Sequence, residues 1–96
     1  MYAHLVLFTI GPGKRHIAEG IADKFAPVYA SVPDCKGVTF LGNDEIGEYG
    51  SLSLWESEEG LAVYQEKAHP MLDGALQGLV TSEPTVRKFE VYEPKS

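Results

Sequence analysis

Residues 51–65, Ser51-Leu-Ser-Leu-Trp-Glu-Ser-Glu-Glu-Gly-Leu-Ala-Val-Tyr-Gln65, change from one hydrophobic period to another within a single stretch. The residues alternate up to Trp55, as in a β-strand, and helical spacing begins at Leu61 and continues through Tyr64. Ser57 is a suitable helix N-cap, and the acidic residues after it suit the positive end of the helix dipole. The stretch therefore predicts a strand that passes directly into a helix, with a tryptophan at the strand end and a tyrosine on the helix.

Size and charge narrow the class of protein. With 96 residues the chain is long enough for one domain, residues 1–96, and too short for two. Fourteen acidic residues against eight basic ones give a net charge of −6. The basic pairs Lys14-Arg15 and Arg87-Lys88 are not interleaved with aromatic residues, so nucleic acid is not an expected partner.

The cysteine content and the hydropathy pattern indicate the cellular compartment in which the protein is expected. Cys35 is the only cysteine, so the chain has no internal disulfide, whereas small secreted scaffolds usually carry several. No apolar run reaches membrane-spanning length, and the first residues lack the features of a signal peptide. We therefore expect a cytoplasmic protein that does not associate with a membrane.

The periodicity along the rest of the chain predicts four strands and two helical regions. Strands are predicted at residues 2–10, 37–42, 48–56 and 85–92, and helical spacing at 14–32 and 57–80. Pro27 is expected to kink the first helix or end it near Ala26, and Pro70 to begin a second helical piece. A polar turn at 43–47 makes the middle strands a hairpin. The order is βαββαβ, an α+β, ferredoxin-like fold with a four-stranded antiparallel sheet.

This arrangement leaves one face of the predicted sheet without helices. The first strand, residues 2–10, is largely apolar on both faces, so a monomer would expose an apolar patch. A symmetric pair of subunits that packs sheet against sheet would bury it. The sequence therefore predicts a homodimer.

The chain resembles the dimeric α/β-barrel superfamily over nearly its whole length. Residues 49–59, Tyr-Gly-Ser-Leu-Ser-Leu-Trp-Glu-Ser-Glu-Glu, and the ending 86–94, Val-Arg-Lys-Phe-Glu-Val-Tyr-Glu-Pro, look like its antibiotic-biosynthesis monooxygenase branch. Members of that branch with known activity oxidise electron-rich aromatic substrates with molecular oxygen, using neither metal nor flavin. The resemblance implies a monooxygenase without a cofactor that acts on a small aromatic or polyketide-like substrate.

Other residues resemble a second branch of the superfamily, the stress-responsive barrels. These are the opening His4-Leu-Val-Leu-Phe8, then Tyr64, and then His69-Pro70. This branch includes plant polyketide cyclases in which a strand histidine, a helix tyrosine and a second histidine line the pocket. The alternatives are therefore a polyketide cyclase or lyase, and a stress protein that binds a small ligand without catalysis.

A third branch, the haem-degrading members, is not expected. Those members carry a tryptophan where this chain has Tyr64, and a haem-ligating histidine where it has Gly74. The three histidines of the chain do not have a metal-binding spacing. The prediction is a site with neither metal nor cofactor.

The resemblance assigns roles to particular residues. His4 would be the base, because histidine titrates near neutral pH. Tyr64 would donate its hydroxyl to a substrate oxygen, and His69 would share acid and base roles in a cyclase. The predicted substrate-binding residues are aromatic: Trp55, Phe8 and Phe25. The strand alternation places Trp55 with Ser51 and Ser53, and leaves open whether that face lies under the helices or in the dimer contact.

Overall fold

The computed structural model describes residues 1–95, and its elements follow the order β-α-β-β-α-β. The strands and helices are β1 Tyr2–Thr9, α1 Arg15–Ala30, β2 Cys35–Asn43, β3 Glu48–Trp55, α2 Glu58–Leu76 and β4 Thr85–Glu90. The strands form one sheet in the order β2-β3-β1-β4, and every neighbouring pair is antiparallel. The predicted ferredoxin-like α+β fold, including the β2–β3 hairpin, is confirmed.

Both helices pack on the same face of this sheet, which we call the inner face. The residues of β1 and β3 that point to it are buried, namely His4, Val6, Phe8, Tyr49, Ser51, Ser53 and Trp55. Trp55 belongs to a core cluster that also contains Phe25 and Tyr29 of α1 and Tyr64 of α2. The alternation read from the sequence is therefore correct, and the face that carries Trp55 lies under the helices.

The outer face of the sheet carries apolar side chains and no helix. Leu5 and Leu7 of β1 alternate with the buried residues of that strand. Leu41, Leu52, Leu54 and Phe89 are exposed by 38–52%. In register, Leu5 lies opposite Leu52 and Ala3 opposite Leu54, so these side chains form one contiguous apolar surface.

The helix α1 does not end at Pro27 but continues to Ala30. Beyond the proline, the Ser31 N–H donates to the carbonyl oxygens of Pro27 and Val28 at 3.0 and 3.2 Å. A proline inside a helix costs about 3 kcal/mol. The last turn of α1 places Tyr29 in the core at 3% exposure, and burying a side chain of that size offsets much of the cost.

The helix α2 begins as the sequence predicts and continues past Pro70. The side chain of Ser57 accepts from the Gly60 N–H at 3.0 Å, which confirms the N-cap. The prediction of a separate helical piece after Pro70 is wrong, because α2 is continuous from Glu58 to Leu76. Its buried side chains occur on both sides of the proline, at Ala68 and Leu76, so both halves of the helix are held by packing in the core. Within residues 1–95, no helix is long and apolar enough to cross a membrane.

Candidate functional site

A cavity of about 380 Å³ lies between the inner face of the sheet and the two helices. It is lined by side chains of all four strands and both helices, and most of the buried ones are apolar or aromatic. Ligand pockets of this kind usually measure a few hundred cubic ångströms or more. The volume suits a small aromatic molecule.

His4 is a buried histidine that lines this cavity. It projects from β1 and is only 3% exposed. Its ring meets the ring of Tyr64 edge-on, with centroids 6.3 Å apart. Within residues 1–95, the buried Nδ1 of His4 has no hydrogen-bond partner. Burial lowers the pKa of His4 below its ordinary value, so the imidazole is neutral at pH 7 and able to accept a proton.

Two stacked tyrosines form the aromatic wall beside His4. Tyr29 of α1 and Tyr64 of α2 have ring centroids 4.3 Å apart with planes inclined by 16°. Burial, and then the neighbouring Tyr29 hydroxyl, raise the pKa of Tyr64 far above its ordinary value. The Tyr64 hydroxyl therefore keeps its proton at neutral pH and can serve only as a neutral donor or as an acceptor.

A buried hydroxyl pair lies at the same wall. The hydroxyl of Tyr29 and the Oγ of Ser51 are 2.7 Å apart, and both residues line the cavity. Sequence reasoning missed both as site residues. Tyr29 follows Phe25 at helical spacing and Ser51 shares the strand face of Trp55, so the signal for their position was present. Their hydrogen bond depends on how far α1 is rotated about its axis, which the sequence pattern does not specify.

Known proteins match this chain through its fold and not through its sequence. Neither protein-family models nor curated proteins give a match. Solved structures do match, and one is ActVA-Orf6, a monooxygenase of Streptomyces coelicolor in complex with nanaomycin D. It is 19% identical, with a TM-score of 0.77 over 99% of this chain and 90% of that one. The chain has the same fold as this monooxygenase.

Two further solved structures match this chain over nearly their full lengths. One is a variant of SnoaB, a cofactor-independent oxygenase from Streptomyces nogalater, at 17% identity and a TM-score of 0.75 over 97% of this chain and 94% of that one. The other is Rv0793 from Mycobacterium tuberculosis, at 17% identity and a TM-score of 0.79 over 99% of this chain and 98% of that one.

The structure places the predicted site residues in three kinds of position. His4, Tyr64, Phe8 and Phe25 are buried and line the cavity. His69 also lines it but is exposed, so it lies at the rim. Trp55 is fully buried and does not line the cavity.

Trp55 instead supports the aromatic wall from behind. Its ring lies 5.1 Å from that of Tyr64 and 6.1 Å from that of Tyr29, centroid to centroid. Its Nε1–H donates to the Oγ of Ser53 at 2.8 Å, so the indole has no free donor for a ligand. The surface that a ligand would meet is formed by the two tyrosines, and the tryptophan acts on it only through packing.

At one end of the cavity, a series of polar contacts connects α1 with the β2–β3 turn. The Tyr49 hydroxyl donates to Asp44 Oδ1 at 2.8 Å, and Arg15 Nη1 donates to Asp44 Oδ2 at 3.0 Å. The Tyr49 hydroxyl and then Arg15 hold the pKa of Asp44 below its ordinary value. Arg15 also pairs with Glu19, so the positive charge of Arg15 at this end of the cavity is balanced by the carboxylates of Glu19 and Asp44.

A metal centre has no basis in the described side chains. Among residues 1–95, no three or more histidine, cysteine, aspartate or glutamate residues come together in a way that could hold a metal ion. The chemistry available from these residues is proton transfer at His4 and hydrogen bonding at Tyr64, Tyr29 and Ser51.

Proposed function

We propose that the protein is a cofactor-independent monooxygenase that acts on a small aromatic or polyketide-like substrate. The observation that carries this proposal is His4, a neutral and buried imidazole with an unpartnered nitrogen, lining a cavity whose wall is aromatic. Proteins of the same fold support it, since one is described as a cofactor-independent oxygenase and another is a monooxygenase in complex with nanaomycin D.

His4 would start the reaction by removing a proton from an activated CH₂ group of the substrate. Dioxygen then adds to the carbanion, and the O–O bond of the resulting peroxide breaks. One oxygen atom stays on the carbon as a carbonyl, and the other leaves as water with the two hydrogens of the original CH₂. The substrate therefore supplies all the electrons, and the protein needs only a base, a donor and a dry site.

The other cavity residues would hold the anion while it reacts. Tyr64 donates its hydroxyl to the oxygen on which negative charge develops, since its raised pKa keeps it protonated. Phe8 and Phe25 cover the apolar part of the substrate and exclude water. His69, at the rim, contacts the exposed end of the substrate.

We also propose that each subunit is one domain of residues 1–96 and that two subunits pair through the outer face of the sheet. Leu5 and Leu7 on β1, together with Leu52 and Leu54 on β3, give this face a contiguous apolar surface. Monomeric proteins rarely leave such a surface open, and a two-fold axis lets the same patch cover itself. The cavity, on the opposite face of the sheet, stays accessible in such a dimer.

Oxygen uptake tests the proposed activity directly. The purified protein is given an anthrone, and dioxygen consumption is followed together with quinone formation. The variant His4→Ala should lose about 100- to 10,000-fold in rate, the usual contribution of a general base. His16→Ala is the matched control, because His16 is exposed on α1 and does not line the cavity. Full activity in His4→Ala would show that His4 is not the base.

A polyketide cyclase is the second candidate, and one observation favours it: His4, Tyr64 and His69 all line the same cavity. Ring closure of a poly-β-keto substrate without oxygen, lost in both His4→Ala and His69→Ala, would establish the cyclase. If aromatic ligands raise the melting temperature and no substrate is consumed under either condition, the protein is a ligand-binding protein.

A further inference from the structure

Within residues 1–95, the ring of His4 has one polar contact, and Gln65 makes it. The amide nitrogen of Gln65 lies 3.4 Å from His4 Nε2. Gln65 follows Tyr64 on α2, is half-buried and lines the cavity. The sequence analysis gave it no role.

In the structure the Gln65 amide is oriented with its nitrogen toward His4 Nε2, and this orientation sets the direction of the hydrogen bond. An amide nitrogen carries only hydrogens, so it donates, and His4 Nε2 must accept with its lone pair. A neutral imidazole has a single N–H, which then resides on Nδ1. Nδ1 is the atom that lacks a partner within residues 1–95. Unpaired buried polar atoms are uncommon in native proteins, so an arrangement that creates one calls for a reason.

We propose that Gln65 is a positioning residue for His4: it keeps Nε2 deprotonated and directs that lone pair toward the cavity wall. This inference rests on the proposed function in so far as His4 is the base there. In the free protein the Gln65 N–H occupies the place of the acidic hydrogen of the substrate. When a substrate enters, its C–H or O–H replaces the amide at Nε2, and the proton is transferred to a nitrogen already free of hydrogen.

Within residues 1–95, the other groups that surround His4 make no hydrogen bond to its ring nitrogens. From α2, Tyr64 meets the His4 ring edge-on, and Tyr29 of α1 stacks on Tyr64. On β4, Lys88 is the register partner of His4, but its ammonium is bound to Glu58 at 2.7 Å. On β3, Ser53 lies opposite His4 and donates to the His4 backbone carbonyl, not to the ring.

The tautomer of His4 can be measured without any substrate. Long-range proton–nitrogen NMR spectra of the full chain with ¹⁵N-labelled histidine distinguish protonated from deprotonated ring nitrogens. The chain has three histidines, and the His16→Gln and His69→Gln variants show which signals belong to each of them. We expect Nδ1 of His4 to be protonated and Nε2 to be bare at a pH where the ring is neutral. The opposite tautomer in the unmodified protein would overturn the proposal, whatever the variants do.

Gln65→Glu is the decisive variant, because it keeps the shape of the side chain and replaces a donor by an acceptor. We expect the His4 proton to move to Nε2 and the midpoint of its titration to rise by about 1 to 3 pH units beside the carboxylate. Gln77→Glu, an equal change on an exposed residue just after α2, should leave both unchanged. A His4 tautomer and titration that Gln65→Glu does not alter would also overturn the proposal.

The test of the role of Gln65, by the tautomer and titration of His4, is independent of the oxygen-uptake assay. If the tautomer is as expected and no substrate consumes oxygen, the proposed function fails and the role of Gln65 in holding His4 stands. If oxygen is consumed in a His4-dependent reaction while the tautomer is the opposite one, the proposed function stands and the role given to Gln65 is wrong.

Discussion

Gly60, in the first turn of α2, is packed so closely that we expect its replacement by alanine to destabilise the protein. An added Cβ would lie 2.3 Å from the Cβ of Asp34 and 2.4 Å from its Oδ2. Asp34 has little room to retreat, because its carbonyl oxygen accepts from the Glu56 N–H at 2.9 Å and its carboxylate accepts from the Ser57 hydroxyl at 2.5 Å. The alanine must therefore displace the Asp34 side chain or shift the start of α2.

The expected cost follows from the contacts that would be lost. A hydrogen bond to a charged group contributes about 1.5 to 3 kcal/mol. Disturbing the Ser57 cap, which accepts from the Gly60 N–H, adds roughly 0.5 to 2 kcal/mol. Against this, alanine is favoured over glycine in a helix by about 1 kcal/mol. Gly60→Ala should therefore lower the free energy of unfolding by about 1 to 4 kcal/mol.

Gly74 is the matched control, since it lies on the same helix with nothing within 4 Å of an added Cβ. Gly74→Ala should raise the free energy of unfolding by up to about 1 kcal/mol through propensity alone. Urea unfolding and thermal melting measure both variants, and each kcal/mol corresponds to roughly 4 to 8 °C in a domain of this size. If Gly60→Ala is as stable as Gly74→Ala, the close packing of α2 on Asp34 does not exist in solution.

Two further predictions concern His4 and the outer face. Burial lowers the folded-state pKa of His4 below the 6.5 of the unfolded chain, so the unfolded chain binds more protons just below pH 6.5. The free energy of unfolding should thus fall as the pH is lowered through that value, by at most about 1.4 kcal/mol per pH unit. Urea titrations at several pH values measure this slope, and His4→Phe should remove it. Leu52→Glu should yield monomers in sedimentation or light scattering, whereas Val63→Glu, on the exposed side of α2, should stay dimeric. A dimeric Leu52→Glu would refute the proposed interface.

The order of elements could be predicted because its signals are local. Ser57 caps α2 in the structure as its position in the sequence indicates, and the alternation through Trp55 places buried residues on one face of β3. A cap requires only residues a few positions apart, and alternation requires only that one face be covered. Such features depend on residues that are close together in the sequence, and they can therefore be predicted from the sequence alone.

Neither proline ends its helix, because the effect of a proline also depends on distant contacts. Pro27 and Pro70 each remove a helical hydrogen bond, and the local rule therefore ends or divides a helix at each. In the structure, Tyr29 and Val32 after the first proline, and Leu76 after the second, are buried in the core. The apolar area buried by those residues decides the outcome, and the sequence does not state in advance how much they bury.

The sequence predicted some of the residues that line the cavity and none of the contacts between them. Strand parity and helix spacing bring His4, Phe8, Phe25 and Tyr64 to one cavity. Whether a side chain reaches that cavity or lies behind another depends on rotamers and on the rotation of each helix about its axis. The Gln65 contact to His4 is of this second kind, since a helix turned by a fraction of one residue would bring a different side chain to the imidazole.

Trp55 shows what that difference means for function. Both an aromatic wall and a core anchor call for a large ring at the end of β3, so the sequence pattern is the same for either role. At 0% exposure, Trp55 can influence a ligand only through Tyr64 and Tyr29, whose rings pack against it. The contacts with Trp55 and the stacking of the two rings on each other restrict the rotamers of Tyr29 and Tyr64 on the side away from the cavity. The aromatic cluster thus links the stability of the core to the geometry of the cavity, and a change at Trp55 would alter both together.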